Sequence, residues 1–447
     1  MKRPIILAVL VLVVLAIPLA LVACGGSSTT TTAASTATTA APGGTATTAP
    51  AATATTAAAG GTTTTVAAGT DTITIGAVIW TQWPLGYDMK RGVDVMAAID
   101  NANGGIQIGD KKYQVKFDFI ESNNDQATTM SAVNKLIYQD KVKFMITETQ
   151  FPGAFFAETE KNKVVTLTGC PIPTMFDKSY KYTFQGGTMM QATPEVAGWI
   201  AKNTPAIKTV DLAFPDEAGG IGYATGVQKT LEAYGIKVNP IKYPSQSTDL
   251  SAIGTQVKTD SPTAFMACGN SATDALVYQA VVQAGYKGLL FSTTTVTYDT
   301  LKSAVPAAAL EGFIGGAWPV EFDPAATDVA KEFKAKWIEM YGKWEGPEIQ
   351  MTACYAALRA ALEKAGSMDT DTVANVLANG LTWEGPCGKG EMIPRNDMGI
   401  SRTVDNIDEF CVKKIVNGVP TLLHQITLDE GKGYVNPAVF ATTTPSS

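Results

Sequence analysis

The sequence predicts an α/β fold of two lobes, each built on a largely parallel sheet with helices on both faces. Three observations carry this. From residue 71 onward, apolar runs of strand length alternate with segments of helical period. The alternation restarts near residue 194, giving two successive units of similar size. With 447 residues and 45% hydrophobic side chains, the chain can fill the cores of roughly two to three domains.

In order, residues 73–79 read as a buried strand. Residues 87–101 form a helix with Val93, Ala97 and Ile99 on its apolar side. The next strand, 113–120, alternates Val115, Phe117 and Phe119, and 125–139 is helical through Met130, Val133, Leu136 and Ile137. Strands at 143–147 and 164–168 end the first series. The second has a helix at 194–203, a strand at 209–214 and a helix at 223–234. Strands at 236–243, 264–268 and 289–292 follow, with helices between them. Ligands of such folds sit at the C-terminal ends of the strands, so a cleft between facing lobes is the expected site.

The stretch AFPDEAGGIGYATG, from Ala213 to Gly226, places glycines after a strand and before a helix, as a pyrophosphate site would. A dinucleotide site also wants an acidic residue at the end of the following strand. That strand instead runs out through Tyr243-Pro244-Ser245. Gly219 to Gly222 are therefore expected to turn the backbone at the rim of the cleft.

Composition narrows the chemistry. A net charge of −7 without a basic run after Lys2-Arg3 argues against nucleic acid as a partner. The single histidine, His424, excludes a multi-histidine metal site and leaves one residue for any histidine-based triad. No Gly-x-Ser-x-Gly elbow occurs, and acidic pairs such as Asp216-Glu217 read more simply as solvated loop charges. The expectation is a binding protein, not an enzyme, with no cofactor and no metal.

The N-terminus gives an address. Residues 1–23 have a positive start, an apolar stretch and the ending Leu21-Val22-Ala23 before Cys24, which resembles a bacterial lipobox with Cys24 as the lipidated residue. The alternative, an N-terminal membrane helix, leaves Cys24-Gly25-Gly26 unexplained. Residues 24–70, almost only Thr, Ala, Gly, Ser and Pro beyond the cysteine, read as a disordered tether, and 436–447 as a loose tail. The expected location is extracytoplasmic, anchored by lipid to the bacterial cell membrane. Five further cysteines are an odd number; Cys387 and Cys411 are the candidate disulfide pair, with connectivity left open by sequence.

Five stretches carry a resemblance: TITIGAVI with ANGGIQIGDKKYQVKFDFIESNND, then YQAVVQAGYKG, CYAALRAALEKAGSMDTDTVANVL and VKKIVNGV. In that order and spacing the chain resembles the Leu/Ile/Val-binding branch of type I periplasmic binding proteins over about residues 71–428. The resemblance implies two Rossmann-like lobes joined by a three-strand hinge. Residues 71–190 and 318–383 would form the first lobe, and 191–317 the second, with its C-terminal strands in 384–435. Crossings would lie near 185–193, 315–321 and 382–386. The implied function is capture of a small solute by a monomer, then delivery to an ABC permease and its ATPase subunits. Closure requires that the solute favour the closed state. A sensory protein that presents ligand to a separate receptor is the alternative, as is a true branched-chain amino-acid binder.

The resemblance also implies a set of ligand residues. Trp80 and Trp83 lie in the loop after the first strand, where an aromatic face could stack on a solute or cap a lobe core, and Leu85 takes a position often aromatic in the family. Thr149, Gln150 and Phe151 occupy the loop that holds a carboxylate in relatives. Thr168, Gly169 and Cys170 align with a stretch that contacts both ends of an amino acid, and Gly219, Asn270 and Trp318 are placed at the second lobe and hinge. Where amino-acid binders carry an acidic residue for the ligand ammonium, this chain has Thr294; Glu148 could replace it from the first lobe or face solvent. The sequence therefore implies that the solute is not an ordinary α-amino acid, and that a neutral or carboxylate-bearing compound, aromatic in character, fits better.

Overall fold

The computed structural model describes residues 71–434, apart from 150, 170–175, 188, 246 and 270. Expectations for Cys24, the tether, the tail, Gln150, Cys170 and Asn270 lie outside the described residues.

The first sheet has five parallel strands, β1 (Thr72–Ile79), β3 (Lys111–Glu121), β4 (Phe144–Glu148), β5 (Val165–Thr168) and β6 (Thr183–Gln185), with β2 (Ile106–Ile108) antiparallel at its edge; the order is β2-β3-β1-β4-β5-β6. Both faces of β1 are covered, as its near-continuous apolar run requires. Ile73, Ile75, Ala77 and Ile79 pack in the main core with Met89 and Val93 of α1 (Pro84–Ala102). Val78 faces the other way, toward Val133 of α2 (Gln126–Asn134) and Phe156 of α3 (Phe156–Lys161). Asp125 caps α2 by accepting the Thr128 amide at 2.7 Å. The helix expected over 125–139 is α-helical only to Asn134; Lys135–Gln139 is a π-helical turn, closed beside a Lys135–Asp140 ion pair at 2.6 Å.

The second series comprises α4 (Met189–Asn203), β7 (Thr209–Pro215), α5 (Ala218–Ala233), β8 (Lys237–Tyr243), α6 (Ser251–Asp260) and β9 (Ala264–Ala267). It continues through α7 (Ser271–Gln283), β10 (Leu289–Phe291), α8 (Tyr298–Ala304) and β11 (Ile314–Ala317). The helices α9 (Asp328–Tyr341), α10 (Gln350–Ala365) and α11 (Thr370–Ala378) then return to the first lobe, where α9 and α10 pack on α1. Three strands, β12 (Thr382–Gly385), β13 (Gly388–Arg395) and β14 (Ile400–Asp408), make a separate antiparallel sheet. Finally β15 (Phe410–Val416) and β16 (Val419–Ile426) add antiparallel to β11, giving the order β16-β15-β11-β10-β9-β7-β8, before α12 (Leu428–Tyr434).

The strands expected to extend the second lobe thus divide. β15 and β16 join its sheet, whereas β12 packs on α10, and β14 touches α11 and β6 as well as α4 and α12. The chain enters the second sheet between Asp408 and Phe410, and residues 382–386 instead open the separate sheet.

Two further expectations are corrected. Helix α5 begins at Ala218, five residues before Tyr223, so Gly219, Gly220 and Gly222 are helical and form no rim turn. Gly220 lets the helix press onto the end of β7: a Cβ there would meet the Pro215 carbonyl oxygen at 2.6 Å. Cys387 and Cys411 are free thiols. Cys387 packs in the main core beside Thr352, whereas β15 carries Cys411 into a small cluster with Ala317 and Ala325. Among the described residues no helix is long and apolar enough to cross a membrane.

Candidate functional site

A pocket of about 350 Å³ opens where the two lobes face each other. Pro84, Leu85 and Asp88 of α1 form one wall, with Glu345 and Glu348 of the loop before α10; Thr295, Thr297 and α8 form the other. The pocket walls are rich in carboxylates and hydroxyls and contain no lysine, arginine or histidine among the described residues.

Glu348 is its most constrained acid, only 7% exposed. One oxygen accepts the Thr295 hydroxyl at 2.7 Å from the opposite lobe, and the other accepts the Gln350 amide at 2.8 Å. Burial nevertheless raises its pKa, the hydrogen bonds opposing that rise. Asp88 is also raised by burial, against the pull of Arg91, with which it forms an ion pair. Arg91 is engaged further by the ring faces of Trp337 and Tyr341, at 4.8 and 5.1 Å.

Behind Glu348 lies a second carboxylate. Glu148 ends β4, is 5% exposed, and its Oε2 has no hydrogen-bond partner. Burial first, and the charge of Glu348 second, push its pKa up to about 8. Its carboxylate lies directly against Gly169, where any Cβ would collide with it. The Gly169 carbonyl in turn accepts Gln350 Nε2 at 2.5 Å and Gln185 Nε2 at 3.3 Å, while Gln185 Oε1 is buried without a partner. Glu348, Gln350, Gly169, Gln185 and Glu148 thus form one connected polar knot at the ends of β4, β5 and β6. Among the described residues no group of three or more His, Cys, Asp or Glu side chains could hold a metal ion.

The residues singled out by sequence are divided between the pocket and its surroundings. Leu85 lines the pocket, and Thr294 sits next to Thr295 with its hydroxyl 2.9 Å from that of Ser292. Trp80 and Trp83 stack on each other at 5.9 Å and 20° in the loop leading to α1, a loop pinned by the Thr81 amide to Glu121 at 3.0 Å. Trp83 also rests on the main core, as the core-capping reading expects. Thr149, Thr168 and Gly169 lie at the strand ends but are buried. The Thr149 hydroxyl faces that of Thr129 at 3.3 Å and accepts the Phe151 amide, and the Thr168 hydroxyl has no partner.

Trp318 and Gly219 are not part of the pocket wall. Trp318 is 1% exposed and packs edge-to-face on Phe410 at 4.9 Å, because β15 covers it on joining β11. Gly219 is in the first turn of α5. Sequence reasoning missed Asp88, Glu345 and Glu348. The signal for Glu348 was present in WEGPEIQ: a charged residue between a Gly-Pro turn and an apolar helix.

The profile of the periplasmic binding protein family matches residues 72–404, which include the whole first sheet, the five strands β7 to β11 of the second and every residue lining the pocket. The chain belongs to the periplasmic binding protein family. As a member of that binding family it is not an enzyme. The leucine-, isoleucine-, valine-, threonine- and alanine-binding protein of Pseudomonas aeruginosa is 26% identical over 311 residues, covering 67% of this chain and 80% of that one. A leucine-binding protein from Thermotoga maritima shares the fold with a TM-score of 0.65 at 19% identity, covering 80% of this periplasmic binding protein and 99% of the other. A solute-binding protein of an ABC transporter from Rhodopseudomonas palustris, in complex with p-hydroxybenzoic acid, matches with a TM-score of 0.65 at 20% identity, over 80% and 97% of the two chains.

Proposed function

We propose that the protein is the solute-binding component of an ABC importer. It captures a small organic solute in the cleft by closing its lobes and hands it to the permease. The candidate classes are amino-acid-like compounds, amides and aromatic carboxylates; relatives bind leucine in one case and p-hydroxybenzoic acid in another. The observation that carries the reading is the pocket walled by both lobes, with the Thr295–Glu348 hydrogen bond joining them across it. A solute seated there touches both walls at once, which is what makes binding and closure one equilibrium. The lipobox supports anchoring through Cys24, so that the folded part works at the outer face of the cell membrane.

The test is native mass spectrometry of residues 71–447 purified without denaturant, followed by small-angle scattering with each candidate solute. A retained or added small molecule that lowers the radius of gyration supports capture by closure. No retained molecule, and no compaction with any of the three classes or with simple amines, would refute it. Lipidation is read separately, from the mass of the mature N-terminal peptide.

A further inference from the structure

We infer that the solute is recognised through a protonated amine seated against the Glu348–Glu148 pair, and that it carries no free carboxylate. This rests on the solute-binding reading above and names the class of compound for the same cleft.

The charges around the cleft do not balance. Asp88 has Arg91, Glu345 has Lys343 and Asp299 has Lys302, each within ion-pair distance. Glu348 has only neutral donors, the Thr295 hydroxyl and the backbone N–H groups of Gln350 and Ile349. Glu148 has no donor on Oε2 at all, although more than nine-tenths of the residue is buried. Glu348 opposes the ionisation of Glu148, and two carboxylates buried in one polar knot are costly unless a cation or a proton offsets them.

A second observation points the same way without involving charge. The unpartnered groups of the polar knot include two acceptors, Glu148 Oε2 and Gln185 Oε1, whose neighbours Gly169 and Gln350 are already engaged. Orphaned acceptors call for N–H donors, and an ammonium group supplies three on one atom. The rest of the pocket offers threonine and serine hydroxyls and the apolar edge of Leu85, which suit a short alkyl or aryl body. A free carboxylate on that body would face Asp299 and Glu345 with no cation in the wall to receive it.

The experiment uses the full folded chain and two matched series: isoamylamine, leucine and 4-methylpentanoate; phenethylamine, phenylalanine and 3-phenylpropionate. Affinity is read by calorimetry in two buffers of different ionisation enthalpy, so that proton release is counted. At least one amine is expected to bind tenfold or more tightly than its amino acid and its acid, and to release a proton on binding. Glu348→Gln should weaken it at least tenfold, and Glu148→Gln should abolish the proton release, with unchanged circular dichroism in both. Tighter binding of a carboxylate or amino acid, or indifference to Glu348→Gln, overturns the inference and leaves solute capture standing. Failure of both amines to bind also overturns it, whereas solute capture itself falls only if the native mass spectrum and scattering are blank for every class.

Discussion

The Thr295 hydroxyl of the second lobe lies 2.7 Å from the Glu348 carboxylate of the first, and both residues are buried. A contact made across the lobes exists only while they face each other, so it adds directly to the stability of the closed form. A hydrogen bond to a charged acceptor is worth about 1.5–3 kcal/mol. Thr295→Val should therefore shift the free protein toward open forms and weaken solute binding by about tenfold or more. Small-angle scattering of the unliganded variant should show a larger radius of gyration; an unchanged value would remove this contact from the closure equilibrium.

Buried acids set an unusual pH profile. Glu148 and Asp274 are both pushed up to about 8 by burial, from ordinary values of 4.5 and 3.8. The native state thus holds these protons more tightly than the unfolded chain. Their contribution to stability is complete below about pH 4 and is lost as pH rises toward 8, each proton costing up to about 1.4 kcal/mol per pH unit within that window. Asp100 and Asp211, each raised to about 6, act in the same direction. The charge that bears on Glu148 is that of Glu348. Melting temperature is expected to fall between pH 5 and 8.5, less steeply in Glu148→Gln. A profile that rises over this range would contradict the assignment.

The glycines of α5 are expected to separate by two positions. Gly220→Ala drives a methyl group into the Pro215 carbonyl, so the helix must move off β7, at a cost of about 1–3 kcal/mol. Gly222 has open space where a Cβ would sit, and Gly222→Ala should stabilise by about 0.5–1 kcal/mol through helix propensity. Urea denaturation of the two variants reads the difference. Equal effects would mean that neither packing nor propensity governs this helix start.

Trp80 and Trp83 should also part company. Trp83 stands immediately before α1 and rests on the main core, so Trp83→Ala should lower stability by about 2 kcal/mol. Trp80 stacks on Trp83 without joining the core, and Trp80→Ala should cost under about 1 kcal/mol while altering the fluorescence change on solute binding. Chemical denaturation followed by solute titration distinguishes the two roles.

The repeating βα pattern was legible because each strand is a short apolar run and each helix has an apolar stripe. Residues 73–79 and 209–214 differ from β1 and β7 by one residue at an end. What sequence left hidden depended on contacts distant in the chain. Gly219 to Gly222 read as a turn because glycine is a weak helix former, yet close packing of Gly220 on Pro215 needs a residue without a side chain there. Trp318 read as a cleft residue because nothing local shows that β15 will cover it. Glu348 was missed because its partner Thr295 is 53 residues away and on the other lobe. The aromatic candidates drew attention by size, whereas the acidic character of the pocket appears only when α1, α8 and the loop before α10 meet.

The first lobe is discontinuous, and this bears on the order in which the molecule can be made. Tyr355 of α10 hydrogen-bonds Asp100 of α1 at 2.5 Å, and Arg359 pairs with the same carboxylate at 2.8 Å. The helix that packs on α1 is therefore supplied some 255 residues after it. A chain emerging from its N-terminus cannot close this core until the whole second series of strands and helices has been made, and contacts of such long range form slowly. The lobe that begins first is among the last to be finished, so its core stays open through most of synthesis.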